Sequence, residues 1–149
     1  MFDENVDKTN TERMKKIIQD IGWPTISKVG KEVSDNAWLI VQHADRDVAF
    51  QESCLDLMKA ESQTEVEPKR IAYLSDRISK NKNEPQAYGT QWDQEGDIHF
   101  RRTLLGSREE VEGRRSKIPN LGTLKDDLKG MKETYPDFKS DEDEKGLEI

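Results

Sequence analysis

Apolar positions recur at helical spacing along most of the chain, and each run is bounded by a recognisable start or stop. Met14, Ile17, Ile18 and Ile21 form one stripe, and Thr9-x-x-Glu12 ahead of it has the form of a capping box, so a helix is predicted from about Thr9 or Asn10. Gly22 ends it and Pro24 prevents its resumption. The connection "GWPTISKVGKE" is too apolar for a solvated loop, and Trp23, Ile26 and Val29 are expected to tuck it against the core. A second helix is predicted from Ser34 or Asp35 through Ala37, Trp38, Val41 and Ala44. A third carries Phe50, Cys54, Leu57 and Met58, with Asp45 or Asp47 as its cap. Pro68 suits the first turn of a fourth, through Ile71, Leu74, Ser75 and Ile78. Ser107-x-x-Glu110 signals a further helix, and Leu121, Leu124, Leu128 and Met131 mark a last one that stops before Pro136.

The period changes once. In "QAYGTQW" Gln86, Tyr88, Thr90 and Trp92 alternate onto one face, "DQEGD" is a turn, and "IHFRRT" reads as a returning strand. Residues 86–92 are therefore predicted to pair antiparallel with residues near 98–103. A lone hairpin is marginal in water, so it must pack on the helices. The predicted architecture is mainly α, a single helical domain with one small antiparallel β-hairpin (α+β). There is no internal repeat.

Composition refines this picture at the ends. Of a net charge of −7, −4 falls in residues 137–149, which hold six acids and two lysines. The expected organisation is a flexible N-terminus over 1–8, a globular domain over 9–136 and an acidic disordered tail over 137–149. "MFDENVDKTN" does not have the form of a signal peptide, and no stretch approaches the roughly 20 apolar residues that span a bilayer. One cysteine excludes an internal disulfide, which fits a reducing, cytoplasmic setting. Cys54 lies on an apolar helix face and reads as core filler rather than as a catalytic thiol. Basic residues are scattered among acids, without the electrostatic footprint of a nucleic-acid binder.

The candidate chemistry lies in two polar interruptions of apolar pattern. In "WLIVQHADRDVAFQ", residues 38–51, Gln42, His43, Asp45 and Asp47 fall where two helices meet. Capping and helix-dipole roles account for them without a site. Alternatively His43 is a general base or hydrogen-bond donor, since imidazole titrates near neutral pH. Asp76-Arg77 is an ordinary surface ion pair or, if buried, a fork for a carboxylate or phosphate. Amide side chains are not favoured strand fillers, and Gln86, Tyr88, Thr90 and Gln91, neutral hydrogen bonders around an aromatic ring, suit recognition of a polar small molecule, while Gly89 is explained by close backbone approach or a bulge, with no chemistry required. Two histidines and one cysteine without ligand spacing argue against a structural zinc, a magnesium held by Asp45, Asp47 or Asp76 has only weak support, and no phosphate-cradling loop or serine elbow is present, so no metal or cofactor is expected.

Taken together, "GWPTISKVG", "AWLIVQHADRDVAFQ", "AYLSDRI" and "QAYGTQW" resemble a widespread, mainly bacterial family of uncharacterised proteins marked by QHAD and YGTQ motifs. The resemblance spans roughly residues 7–125. It implies that Trp23, Pro24, Gln42, His43, Asp45, Gln51, Asp76, Arg77, Gln86, Tyr88, Gly89, Thr90 and Gln91 occupy signature positions. "VEGRRSKIPNLGTL", with Arg114-Arg115, is similar to the family's closing segment, whereas "HFRRTLLG" departs from a more proline-rich pattern. The family carries no settled activity, so the resemblance supplies a site and no reaction.

Two functional classes follow. In the first, His43, Asp45 and Asp76 are catalytic and Gln42, Arg77, Gln86, Tyr88 and Gln91 bind substrate. The reaction is then metal-independent hydrolysis or group transfer on a small polar or anionic metabolite. In the second, the same residues form a structural polar network in a ligand-binding or protein-interaction domain of stress or immunity type. A concave pocket containing His43 beside a carboxylate favours the first, and a filled, satisfied network favours the second.

Overall fold

The first helix begins earlier than its capping-box pattern predicts. In the computed structural model, which describes residues 3–144, α1 spans Glu4–Ile21 and Asp3 is its cap, accepting from the Asn5 amide at 2.8 Å. An extended Asp3 next to acidic first-turn residues satisfies the helix start better than Thr9, which stays inside the helix. Gly22 ends α1 as expected, at φ 73° with its amide on the Ile18 carbonyl.

The apolar connection contains a short helix, α2 (Ile26–Val29), and Trp23 within it is buried at 2% exposure. Helix α3 (Lys31–Gln42) then runs into a tight turn at 43–47, and α4 (Val48–Lys59) restarts with Asp47 as its cap, accepting from Phe50 N at 3.1 Å. Helix α5 (Pro68–Asn81) starts on its proline. Met14, Trp23, Val41, Phe50, Cys54, Met58, Leu74 and Ile78 from these elements make the main core. Burial pushes the Cys54 thiol up to about 12, which suits a packing residue rather than a nucleophile.

The hairpin exists, but in a shifted place. Strand β1 is Asp93–Glu95 and pairs antiparallel with β2, His99–Arg101, in the register Asp93 to Arg101, around a turn holding Gly96 at φ 85°. Residues 86–92, predicted as its first strand, instead form a loop. Gly89 at φ 65° breaks the extended run. Only Gln86 keeps a bridge, parallel to Leu104, with its amide on Thr103 O and its carbonyl accepting from Leu105 N, both at 2.8 Å.

Helix α6 (Arg108–Ser116) is capped by Ser107, and α7 (Leu124–Thr134) by a capping box of Thr123 and Asp126. The chain then does something its composition does not predict. The segment expected to be disordered from residue 137 forms β3 (Lys139–Ser140), parallel to β2, followed by α8 (Asp141–Glu144). Phe138 is buried at 5% exposure and joins Phe100 and Leu128 in a second, smaller core. The remainder of the acidic segment, 145–149, lies outside the described residues. No helix among the described residues is long and apolar enough to cross a membrane.

Candidate functional site

The turn at 43–47 and the loop at 86–91 are joined by one side chain from α5. Arg77 donates from Nε and Nη2 to the two oxygens of Asp45, at 2.8 and 2.6 Å, and from Nη1 to Gln91 Oε1 at 3.3 Å. One turn further along, Asn81 Nδ2 donates to Asp45 Oδ1 at 2.8 Å and to Gln51 Oε1 at 3.0 Å. Gln51, with no exposed surface, returns its own amide to Val41 O at 3.1 Å. Burial pushes the Asp45 carboxyl up, but the hydrogen bonds from Arg77 and Asn81 outweigh it and hold it below its ordinary value.

The second knot is Asp76. It has no exposed surface, and it accepts from Tyr88 N (3.1 Å), Thr90 N (2.9 Å) and Thr90 Oγ1 (2.8 Å). Burial raises its carboxyl above the ordinary range against the pull of those donors. Gln86 closes the same loop from the other side. Its amide donates to Gln91 O and accepts from Gln91 N, each at 2.9 Å, the pair of bonds a neighbouring strand would make. A glutamine thus replaces the predicted β-ladder. Arg115 and Arg114 hold the outside of the loop by donating to Tyr88 O (2.8 Å) and Ala87 O (2.7 Å). Gly89 sits where a Cβ would come within 2.5 Å of Leu104 Cδ2, so what crowds it is side chains rather than the backbone approach expected from sequence.

His43 lies at the edge of the first knot, beside Asp45 in the same cleft. It is half-buried at the end of α3, where its backbone amide donates to Leu39 O at 3.1 Å. It lines a cleft of about 520 Å³ between α1 and the 43–47 turn. The cleft walls include Glu4, Asp7, Glu12, Asp45 and Asp47, against Lys8 and Arg46. Burial and the nearby Arg77 charge lower the His43 pKa, opposed by Asp45 and Asp7, so the neutral imidazole predominates at pH 7.

Of the eight sequence-predicted residues, His43 and Asp45 line this cleft, whereas Gln42, Asp76, Arg77, Gln86, Tyr88 and Gln91 do not. Gln42 turns to the Tyr73 carbonyl at 3.2 Å, and Tyr88 takes part through its backbone. What the structure brings together is a hydrogen-bonded network with the cleft at one end, meeting at Asp45. Asn81, and Asp127, whose Oδ2 accepts from Arg115 Nη1 at 2.8 Å, belong to the framework and escaped sequence reasoning. Asn81 lies at the helix end, where polar residues are ordinary, and only its spacing of four from Arg77 could have flagged it. Among the described residues no group of three or more His, Cys, Asp or Glu is placed to hold a metal ion.

A helical framework whose polar residues knot an interhelical turn to a glycine-containing loop is the class that fold and site define. A family model matches residues 3–136, and the chain belongs to that family, DUF6624, a family of unknown function. No significant match to a curated protein or to a solved structure is found.

Proposed function

We propose that the chain is a non-catalytic binding domain whose cleft beside His43 takes a small polar molecule bearing a positive group, such as a protonated amine. The observation that carries this reading is how the carboxylates are engaged. The two that sequence reasoning assigned to orient His43 are held elsewhere: Asp45 by Arg77, Asn81 and Gln51, and Asp76 by Tyr88 and Thr90. Satisfied in this way, they serve the framework, and the QHAD and YGTQ stretches act as its two halves. The rim points to the ligand's charge. Its five carboxylates face Lys8 and Arg46, and Lys15 and Arg77 pair with Asp47 and Asp45, so one negative charge remains in excess, which disfavours the anionic ligand that Arg77 suggests from sequence.

The enzymatic reading keeps one support. A neutral imidazole at a cleft wall is competent as a general base near pH 7. A thermal-shift screen of small amines, amino acids and organic acids against the wild type and His43→Gln separates the readings. Amine-bearing compounds are expected to stabilise the wild type and not the variant. Stabilisation by anions alone, or equal shifts in both proteins, would remove the cleft as the site. Turnover of a bound compound that disappears in His43→Gln would restore the acid–base hydrolase or transferase.

A further inference from the structure

Outside the cleft, a buried arginine takes one of its two counter-ions from beyond the family-matched segment. The Arg102 side chain has no exposed surface, and its guanidinium lies 4.1 Å from the Trp92 ring centroid. It donates to the carbonyls of Gly89 and Leu124 and to Asp127 Oδ2 at 2.9 Å. Arg115, whose side chain is 1% exposed, uses that same Asp127 oxygen at 2.8 Å. Two buried guanidinia therefore share one oxygen of one carboxylate. Asp76 lies within electrostatic range of Arg115, but its oxygens already accept from Tyr88 and Thr90. The further countercharge is Glu142, which meets Arg102 Nε and Nη2 in a paired contact at 2.5 and 2.9 Å.

Glu142 arrives on a segment with two other anchors. Phe138 stacks on Phe100 and meets Trp92 edge-on, each with ring centroids 5.4 Å apart. Between the anchors, β3 pairs with β2, and Lys139 N donates to Ile98 O at 2.8 Å. An aromatic plug, backbone pairing along a sheet edge and a carboxylate clamped by arginine are the elements of recognition by strand addition. The family match ends at residue 136, so all three anchors come from the adjoining segment and their three receptors from the family-matched one.

We propose that the β2 edge, with Trp92 and Arg102, is a docking groove for an acidic peptide of a partner protein that pairs as a short strand and then turns, as residues 139–142 do. The peptide carries an aromatic residue four positions before a glutamate, and residues 138–142 are the groove's resident ligand in cis. A second copy of this chain is the weaker occupant. Its own segment is already satisfied in the same way, so exchange makes no new contact while costing association entropy. A partner peptide can do better, because a cavity of about 450 Å³ continues beside Glu142 and is lined by Arg108. An additional acid there gains a contact that the resident segment does not make.

The test uses the full chain with its own segment weakened by Glu142→Gln and Phe138→Ala. A fluorescein-labelled peptide of residues 137–144 is added, and anisotropy is read beside circular dichroism and light scattering. The weakened chain should bind the peptide at least about tenfold more tightly than the wild type, whose groove is filled. Replacing the peptide's second glutamate-side anchor, the position of Glu142, by glutamine should weaken binding by a similar factor. If the double variant loses its helical signal, Glu142→Gln alone preserves the side-chain shape and should still bind several-fold more peptide than the wild type. Equal binding by both chains, or indifference to the peptide's glutamate, would overturn the proposal. Dimers of the weakened chain in place of peptide capture would overturn the partner assignment in favour of a second copy.

Discussion

Asp76 and His43 look alike along the chain, each a polar residue interrupting an apolar helix, and the fold treats them in opposite ways. Asp76 has no exposed surface and collects three hydrogen bonds from a loop 12–14 positions away. His43 is half-buried against a cleft of about 520 Å³. Burial moves both pKa values, and in each case toward the neutral form, raising the acid and lowering the base. The lesson is that a polar interruption marks a place where the chain must be satisfied, and only geometry says whether that place is closed inside the framework or set at a cleft. If Asp76 is framework and His43 is surface, substitutions at the two must separate stability from binding.

The largest effect is expected at Asp76. Asp76→Ala leaves the amides of Tyr88 and Thr90 and the Thr90 hydroxyl without an acceptor in a buried position, which should lower unfolding free energy by roughly 3–5 kcal/mol. Urea unfolding followed by circular dichroism measures it, and a loss under 1 kcal/mol would place Asp76 outside the framework. Gly89→Ala comes next. The new Cβ meets Leu104 at 2.5 Å and occupies a backbone with φ 65°, so a loss of about 2 kcal/mol is expected. The same unfolding experiment should show it without any change in the slope on urea.

These two positions also show what could be read without the fold. Local signals were legible: Pro68 opens α5, Ser107 caps α6, and Asp47 caps α4 because each acts on residues within four positions. Gly89 was legible as a crowded position, though side chains rather than backbone crowd it. Asp76 was not, because its donors belong to residues whose alternation imitates a strand, and the Gln86 side chain supplies the bonds that a strand partner would. The C-terminal segment misled for the reverse reason. Its charge density argues for solvation, and nothing local reveals that Phe138 and Glu142 fit Phe100 and Arg102, about 40 positions earlier.

Arg77 lies between the two extremes and sharpens the contrast. Its pair with Asp45 is bidentate, yet the side chains are 20% and 37% exposed, so solvent screens part of the attraction. Arg77→Met should cost about 1 kcal/mol at pH 7, less than the loss at Asp76. It should also change the acid limb. Asp45 is depressed below its ordinary 3.8, so its contribution is present above that pH and is lost as pH falls through the lower folded value. The variant should therefore lose less stability than the wild type when the pH is taken below 3.8.

The smallest stability effect is expected at His43, and it is the one that most directly breaks or keeps the comparison. The folded pKa lies below the ordinary 6.5, chiefly through burial and then through the Arg77 charge. Well above pH 6.5, as at pH 8, the imidazole is neutral in both folded and unfolded chains, so it contributes almost no pH-dependent term there. As pH falls below 6.5 the unfolded chain takes up the proton first, and the fold loses stability until the folded imidazole is protonated as well. Glutamine retains a polar side chain and cannot titrate. His43→Gln should thus match the wild type within about 0.5 kcal/mol at pH 8, and stability curves at pH 8, 6.5 and 5.5 should diverge, the wild type falling faster. A large deficit for the variant at pH 8 would make His43 a framework residue like Asp76. Equal slopes would mean that the cleft leaves its imidazole as it is in water. Divergent slopes together with lost amine binding would identify His43 as the end of the network that faces a ligand.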